Sequence, residues 1–323
     1  MKAIVYRRYG SPEVLSLEEM EKPQPSEDEV LIKVRAASVN PYDWHFMRGE
    51  PYFLRMLTGV ARPKSPRLGA DVAGDVETVG KNVAQFKPGD AVFGTCHGSF
   101  AEYVCGIPSR LASNHQNLNF EEAACIPIAA LTALQALRDK ARLRPGHKVL
   151  INGAAGGVGT FAVQIAKNFG AEVTAVCSTR KLQIVRSIGA DQVIDYARDD
   201  FTKGSQRFDV ILDLVGNHPL SSCGRIMNAH GIYVGAGGTT DPWMIEPLAQ
   251  MLTAVGLSLY GGRKFTSLLA RIHPSDLSFV AELMQTGKVT PVIDRRYTLQ
   301  EVPDAMRYVE EGHAGGKVVI GVA

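Results

Sequence analysis

The sequence predicts an α/β protein in which a doubly wound parallel sheet is combined with a β-rich domain built from both chain ends. The first observation is a strand, a glycine turn, a helix and a second strand within residues 148–181. The second is that apolar strands alternate with helical segments from there to about residue 260. The third is that the first hundred residues form short strands broken by glycine and proline. Strand–helix alternation is typical of a parallel sheet, and closely spaced short strands are typical of a compact β-barrel.

The composition bounds the classes of function. The 323 residues are enough for two domains, each with its own core. Lys and Arg number 35 against 33 Asp and Glu, so neither nucleic acid nor an anionic membrane is expected as a partner. The chain has no apolar run of the roughly eighteen residues that a membrane span needs. Its start lacks a signal-peptide core and its five cysteines form no C-x-x-C pair, which predicts a cytoplasmic protein with reduced thiols.

The order of elements predicts where the domains divide. Alternating patterns at Ala3–Tyr6 and Val30–Ala37 indicate strands, and an irregular polar and aromatic segment follows from Asn40. Helical periodicity begins at Phe120, after which apolar runs predict the strands of the parallel sheet: Val149–Ile151, Val173–Cys177, Asp209–Asp213, Gly231–Gly235 and Leu257–Tyr260. The last strand, residues 315–321, has no partner nearby in sequence and is expected to return to the amino-terminal domain. We therefore predict one domain from residues 1–122 and 264–323, and a second from residues 123–263.

The glycine turn carries the most specific chemistry. Residues 152–159 read Asn-Gly-Ala-Ala-Gly-Gly-Val-Gly between an apolar strand and a helix. Without side chains at Gly156 and Gly157, the backbone can approach a pyrophosphate, which the helix N-terminus then holds. Gly159 would let the helix pack closely, and Ala154 stands where the first glycine of the G-x-G-x-x-G pattern usually lies. An ordinary strand-to-helix turn is the alternative, but the correct flanks favour a dinucleotide site.

The end of the second strand indicates which dinucleotide. An NAD site usually has an acidic residue there that accepts hydrogen bonds from the ribose hydroxyls. This chain has Ser178 at that position, followed by Arg180 and Lys181, and no carboxylate lies between Glu172 and Asp191. Two cations suit a 2′-phosphate, so NADPH is the expected cofactor. The alternative is that both cations are merely solvated.

Several separate motifs, in order along nearly the whole chain, resemble one known family: Asn40-Pro41-x-Asp43, Arg48-Gly49, Gly69-Ala70-Asp71-Val72-Ala73-Gly74, Lys87-Pro88-Gly89-Asp90-x-Val92, Leu131-Thr132-Ala133, the glycine turn and Gly315-Gly316-Lys317-Val318-Val319. The sequence resembles the zinc-independent branch of the medium-chain dehydrogenase/reductase family, the quinone oxidoreductase (zeta-crystallin-like) group. That resemblance implies a GroES-like β-barrel domain split around a Rossmann domain, and a homodimer formed by edge pairing of Leu257–Tyr260.

The same resemblance predicts that no metal is bound. The family branch with catalytic zinc has a cysteine where this chain has Asn40, and Gly-His-Glu where it has Gly69-Ala70-Asp71. A tetrahedral zinc site needs three such protein ligands, and an amide and a methyl group stand at two of these positions. His45 and His97 are the candidate replacement ligands, although lone loop histidines are more often not ligands.

The resemblance also assigns roles to single residues. It places Asn40 beside the nicotinamide and the acceptor oxygen, although an Asx turn before Pro41 explains the residue equally well. Asp43 would organise that loop, and Tyr52 would line the acceptor pocket, unless it is only a packed aromatic. The Thr132 hydroxyl could instead donate a hydrogen bond to a backbone carbonyl of its own helix, and Lys317 could be a solvated residue at the end of a strand. The expected cofactor contacts are Thr132, Ala155, Gly156, Gly157, Val158, Gly159, Ser178, Arg180, Lys181, Tyr196, Val215, Gly216, Gly235, Gly237 and Lys317.

These expectations combine into one reaction. Without a metal ion at the substrate oxygen, quinones and conjugated enones are easier hydride acceptors than simple ketones, because the incoming charge is delocalised. We therefore predict hydride transfer from NADPH to a small-molecule quinone or α,β-unsaturated carbonyl. An enoyl-thioester or alkenal reductase is the second enzyme reading. A non-catalytic NADPH-binding protein is the alternative from a different class.

Overall fold

The computed structural model describes residues 1–114, 118–237 and 262–322, together with residues 253, 254 and 256. The chain forms two compact units. Unit 1 comprises Met1–Leu131, Arg271–Gly287 and Pro291–Ala323, and unit 2 comprises Thr132–Ala270 and Lys288–Thr290.

The described strands are β1 Lys2–Tyr6, β2 Leu15–Glu19, β3 Val30–Val39, β4 Asp71–Val79, β5 Ala91–Thr95, β6 Tyr103–Gly106, β7 Leu111–Ser113, β8 Lys148–Asn152, β9 Glu172–Cys177, β10 Gln192–Asp195, β11 Phe208–Asp213, β12 Met227–Gly235, β13 Lys264–Ser267, β14 Ile293–Thr298 and β15 Lys317–Gly321. The described α-helices are α1 Pro41–Arg48, α2 Leu54–Thr58, α3 Phe120–Ala124, α4 Leu131–Gln135, α5 Gly157–Asn168, α6 Leu182–Ser187, α7 Leu220–Arg225, α8 Pro274–Gln285 and α9 Val302–Glu310. Two π-helical turns, Ile126–Ala130 and Ala136–Lys140, flank α4.

Unit 2 is built on a six-stranded parallel sheet in the order β10-β9-β8-β11-β12-β13. Counted along the unit, this is the 3-2-1-4-5-6 order of the dinucleotide-binding fold. The central strands are apolar because helices cover both faces of such a sheet, and four of the five residues of β8 are buried. The strand order reverses between β8 and β11, and ligands of such sheets bind at the carboxyl ends of the strands around that point.

The boundaries of unit 2 differ from the predicted division at 123–263. β13 pairs in parallel with β12, so residues 264–267 belong to the parallel sheet and not to the β-rich domain. At the other end, residues up to Leu131 pack with unit 1. The closing strand predicted at Leu257–Tyr260, and with it the proposed dimer contact, lies outside the described residues. β13 was missed because it is only four residues long and carries two exposed side chains.

Unit 1 is β-rich and joins both chain ends, as predicted. Its large sheet has the order β14-β15-β3-β4-β5-β7, with β6 paired to β3, and β1 and β2 form a separate hairpin. β15 pairs antiparallel with β3, which confirms that the last strand returns to the amino-terminal domain. Among the described strands, the pairing runs from β14 to β7 without closing, so the expected barrel is an open mixed sheet. None of the described helices has the length and apolar composition required to cross a membrane.

Candidate active site

The turn after β8 is the anion-binding candidate of unit 2. Gly153 follows the strand with a φ of +83°, and α5 begins at Gly157 with Gly156 as its N-cap. The first N–H groups of a helix have no acceptor inside it, and the helix dipole adds positive potential there. This turn therefore presents hydrogen-bond donors suited to a pyrophosphate.

The glycines of this turn have different roles. A Cβ atom at Gly159 would lie 2.2 Å from the carbonyl oxygen of Gly153, so the helix can approach the turn only without a side chain there. At Gly156 the nearest atom to such a Cβ is 3.5 Å away, so that face is open. The residue of this turn with a left-handed backbone conformation is Gly153. It lies one position before Ala154, which stands at the first glycine position of the G-x-G-x-x-G pattern. Ala154 itself is fully buried.

Asp213, at the end of β11, organises the neighbouring loop and was missed by the sequence interpretation. Its Oδ1 accepts hydrogen bonds from the backbone N–H groups of Val215 (3.0 Å) and Gly216 (2.8 Å) and from Asn152 Nδ2 (2.9 Å). Its Oδ2 accepts one from the Tyr233 hydroxyl at 2.9 Å. Burial, followed by the charge of Asp213, raises the pKa of Tyr233, so its hydroxyl stays protonated and donates.

These contacts bring several predicted cofactor residues to one edge of the sheet. A Cβ at Gly153 would lie 2.9 Å from the Val215 side chain, and a Cβ at Gly237 would lie 2.3 Å from the Leu214 carbonyl oxygen. Gly235 ends β12 directly beside Asp213. The turn after β8 and the loops after β11 and β12 therefore lie together, as the carboxyl ends of parallel strands should.

The end of β9 carries the residues expected to select the cofactor. The Ser178 carbonyl accepts a hydrogen bond from the Lys181 N–H at 2.9 Å, which closes a short 3₁₀ turn in which Arg180 is exposed. Tyr196 follows the neighbouring strand β10 and is 60% exposed, and its N–H donates to the Cys177 carbonyl at 3.1 Å. The adjacent strands β9 and β10 are thus followed directly by three of the expected cofactor contacts: Arg180, Lys181 and Tyr196.

A carboxylate also stands at this place, although none occurs in the sequence between Glu172 and Asp191. Asp195 pairs with Cys177 in register, and its Oδ2 accepts a hydrogen bond from Thr179 Oγ1 at 2.6 Å. That hydrogen bond is the main reason why the pKa of Asp195 is lowered. The carboxylate anchors the turn that carries Arg180 and Lys181. Counting residues along the chain missed it because it comes from the next strand.

Thr132 is the remaining predicted cofactor contact of unit 2. It is half-buried near the start of α4, the helix between the two π-helical turns. Such turns occur often at functional sites.

The polar centre of unit 1 is a buried cluster around Asn40. The Asn40 Nδ2 donates to Asp71 Oδ2 at 2.8 Å and to the Ser38 carbonyl at 3.3 Å, and its Oδ1 accepts from Lys317 Nζ at 2.7 Å. Asp71 also accepts from Ser38 Oγ at 2.6 Å and from the Ile128 N–H at 3.1 Å. We call Ser38, Asn40, Asp43, Asp71 and Lys317 the Asn40 cluster.

Two predictions change at this cluster. Both amide hydrogens of Asn40 are used internally and its side chain is only 2% exposed, so this arrangement leaves none for an acceptor oxygen. Lys317 is not a solvated strand end, because it is 2% exposed and donates to Asn40 Oδ1, and its contact with a cofactor stays a prediction. Asn40 is also the N-cap of α1, directly before Pro41. The contacts among Asn40, Asp71 and Lys317 could not be predicted from the sequence, because these residues are far apart along the chain.

Asp43 is the loop organiser that the sequence predicted. It lies in the first turn of α1, where its Oδ2 accepts a hydrogen bond from the Asn40 N–H at 2.8 Å. Its side chain is fully buried, and its Oδ1 has no hydrogen-bond partner among the described residues. Burial raises the pKa of Asp43 from 3.8 to about 8, and the charge of Asp71 adds to the shift. The carboxyl group is therefore protonated at neutral pH.

This burial predicts a pH dependence of stability. Between the unfolded pKa of 3.8 and the folded pKa of about 8, the folded state holds a proton that the unfolded state releases. Stability is therefore lost as the pH rises through that window. Asp43→Asn removes this titration but keeps an oxygen for the Asn40 N–H. We expect the melting temperature of the variant, relative to the natural protein, to rise between about pH 5 and about pH 8. A difference that stays constant with pH would contradict the prediction.

Tyr52 lies in a segment that Arg55 holds in place. The Arg55 guanidinium packs on the rings of Tyr52 and Tyr9, 4.8 Å from each centroid, and donates to the Gly49 carbonyl at 2.9 Å. The Tyr9 hydroxyl in turn contacts Thr58 Oγ1 at 2.7 Å. Large apolar side chains of this segment stay exposed: Phe53, Met56, Leu57 and Val60.

The two candidate replacement ligands for zinc do not form a metal site. His45 Nδ1 contacts the Glu50 carbonyl at 2.9 Å and its ring stacks on Trp44, and burial lowers the pKa of both His45 and His97. In the part of the chain that the structure describes, no group of three or more His, Cys, Asp or Glu side chains could hold a metal ion.

Two family models match the chain. The alcohol dehydrogenase GroES-like domain matches residues 26–116, which lie in unit 1. The zinc-binding dehydrogenase model matches residues 188–320, which include the strands β10 to β13 of the parallel sheet and most of the returning strand β15.

Known proteins match over the whole length. The chain is 36% identical to the 2-methylene-furan-3-one reductase of Solanum lycopersicum, over 99% of this chain and 79% of that protein. It is 33% identical to the mitochondrial NAD(P)H oxidoreductase RTN4IP1 of Bos taurus, over 100% of this chain and 89% of that protein. The solved structure of the quinone oxidoreductase from Coxiella burnetii superposes with a TM-score of 0.88 at 33% identity, over 100% of this chain and 99% of that one. With this sheet order, this glycine turn and these full-length relatives, the chain belongs to the medium-chain dehydrogenase/reductase family, in its quinone oxidoreductase group.

Proposed function

We propose that this protein is an NADPH-dependent oxidoreductase that transfers a hydride to a quinone or an α,β-unsaturated carbonyl without zinc. The observation that carries the proposal is the Asn40 cluster. Asn40, Ala70 and Asp71 stand where the metal-dependent branch has its cysteine, histidine and glutamate. They offer an amide, a methyl group and a carboxylate that contacts the Lys317 ammonium. This donor set does not suit a zinc ion that polarises a substrate carbonyl. Acceptors that delocalise the incoming charge need no such ion.

The names of the relatives support these acceptor classes. One is called a reductase of a 2-methylene-furan-3-one, another an NAD(P)H oxidoreductase and the third a quinone oxidoreductase. The apolar side chains exposed beside Tyr52 suit an apolar ring acceptor. An enoyl-thioester acceptor is the second candidate, because residues 51–67 contain no carboxylate and expose Arg62 and Lys64.

In this proposal, each residue binds, orients or supplies a proton. A bound nicotinamide supplies the hydride when it is present. The N–H groups at the start of α5 would hold its pyrophosphate, and Asp213 keeps in place the next loop, which would contact the ribose. Reduction also needs one proton, which would come from solvent or a hydroxyl group such as that of Tyr52, since Asn40 has no amide hydrogen to offer.

The experiment for the overall function is a rate measurement on protein treated with a chelator. Oxidation of NADPH is followed with a quinone and with an aliphatic enone, and with NADH in parallel. Turnover that survives chelation supports the proposal. The ratio of the rate with the quinone to the rate with the enone then distinguishes a quinone reductase from an enone or enoyl-thioester reductase. A cofactor-induced rise in melting temperature without turnover would favour a non-catalytic NADPH-binding protein.

Lys181→Ala and Arg180→Ala test the cofactor preference. A charge-assisted hydrogen bond to a 2′-phosphate contributes about 1.5–3 kcal/mol, so each change should weaken NADPH binding by about tenfold or more. Binding of NADH, which has no 2′-phosphate, should change little. Lys203→Ala is the matched control, because this cation of unit 2 is 79% exposed and pairs with Asp200. Equal losses for NADPH and NADH would show that the two cations do not recognise the phosphate.

Oligomeric state and location are part of the same proposal. The resemblance favours a homodimer. All five cysteines are free thiols and four of them are buried, which suits a reducing compartment such as the cytoplasm.

A further inference from the structure

The family model that matches the carboxyl-terminal half is described as a zinc-binding dehydrogenase, yet the residues of unit 1 do not fit a metal ion. Where the zinc-dependent branch has the histidine of its Gly-His-Glu triplet, Ala70 offers no donor atom. The Asn40 oxygen already accepts from Lys317 at 2.7 Å. The Asp71 Oδ2 already accepts from Asn40 and Ser38, with Lys317 Nζ 3.4 Å away.

We propose that the Lys317 ammonium is the resident cation of the Asn40 cluster and takes the place of the metal ion of zinc-dependent relatives. Lys317 then acts as a positioning residue, because its contacts go to other protein groups. The inference rests on the geometry of unit 1, and of its tests only the acceptor KM depends on the proposed function.

A nearby cation lowers the cost of burying Asp71, in addition to the three hydrogen bonds that it accepts from Ser38, Asn40 and Ile128. Asp71 is fully buried, and an isolated buried carboxylate is strongly destabilising unless a positive charge or several donors compensate it. Among the described residues, Lys317 is the cation within ion-pair distance of Asp71.

The position of Lys317 joins three separate parts of the chain. It begins β15, while Val39 and Asn40 end β3 and lead into α1, and Asp71 begins β4. Its Nζ lies 3.5 Å from the Val39 carbonyl oxygen and 2.7 Å from Asn40 Oδ1. The ammonium thus sets the orientation of the Asn40 amide at the N-terminus of α1, from which the segment that carries Tyr52 continues.

The first measurement uses the natural protein. After dialysis against zinc and removal of free metal, elemental analysis should find much less than one zinc per chain, and a chelator should leave the melting temperature unchanged. One zinc per chain whose removal lowers the melting temperature would overturn the proposal.

The second measurement compares variants. Lys317→Met leaves Asp71 with its hydrogen bonds but without a cation, and it should lower the melting temperature by about 10 °C, from the usual cost of removing one partner of a buried ion pair. Lys167→Met is the matched control and should cost less than about 2 °C, since the Lys167–Asp191 pair is at 2.7 Å but both of its side chains are more than one third exposed. Equal shifts for the two variants would contradict the inference.

Chemical rescue keeps the test open if Lys317→Met folds poorly. In Lys317→Ala, methylammonium should restore part of the lost melting temperature, whereas the bulkier tetramethylammonium should not. Lys317→Arg keeps the charge and should bind NADPH as the natural protein does, with a raised KM for the acceptor because the Asn40 amide is displaced. A selective loss of NADPH affinity in this variant would instead make Lys317 a cofactor ligand and overturn the proposal.

Discussion

Asp213→Ala is expected to destabilise the protein by about 3 kcal/mol and to weaken NADPH binding at least about tenfold. The change removes a buried carboxylate that accepts four hydrogen bonds, and it leaves the N–H groups of Val215 and Gly216 and one of the two amide hydrogen bonds of Asn152 without an acceptor. The loop after β11 would then lose the contacts that hold it beside the glycine turn. Chemical denaturation and a cofactor titration measure the two effects.

Two further variants show whether the loss of stability and of NADPH binding is specific to Asp213, at the carboxyl end of β11. Asp209, at the amino end of β11, accepts from the Lys148 N–H at 2.8 Å and from Asn228 Nδ2 at 2.6 Å. It is only half-buried, so Asp209→Ala should cost below about 1 kcal/mol and leave cofactor binding unchanged. Tyr233→Phe removes one hydrogen bond to Asp213 and should cost about 1 kcal/mol. If Asp209→Ala weakened cofactor binding as much as Asp213→Ala, a general loss of stability would be the explanation.

Gly159→Ala is expected to cost about 3 kcal/mol and to abolish tight cofactor binding, although it adds only one methyl group. The new Cβ would lie 2.2 Å from the Gly153 carbonyl oxygen and 2.6 Å from the Ala154 carbonyl carbon. Both are backbone atoms, so the strain can be relieved only by moving the turn away from α5. That movement would displace the N–H groups that face the pyrophosphate.

Gly204→Ala is the control for replacing a glycine by alanine at a position where the new side chain meets no close neighbour. Gly204 belongs to unit 2 and has a φ of −68°, and a Cβ there would meet its nearest neighbour at 3.6 Å. This change should be neutral or stabilising by up to about 1 kcal/mol, because alanine restricts the unfolded chain. Unimpaired NADPH binding by Gly159→Ala would show that the turn can move without losing its donors.

The parallel sheet and its glycine turn could be predicted from the sequence because their signals are local. An apolar run such as Val149–Ile151 must be buried on both faces, and Gly159 stands where a fixed spacing requires a residue without a side chain. The open form of the unit 1 sheet and the short strand β13 could not be predicted, because β pairing over long sequence distances is decided by packing.

The sequence by itself determined the class of the fold, the place of the dinucleotide turn and the residue types at the positions that correspond to zinc ligands in the zinc-dependent branch. Only the tertiary structure decided what those residues do. Lys317 and Asn40 are 277 positions apart, and Lys317 and Asp71 are 246 apart, yet the three side chains meet in one buried cluster. The physical reason is that a buried polar group takes its role from the partners that satisfy it, and β15 brings the Lys317 ammonium to this carboxylate and amide.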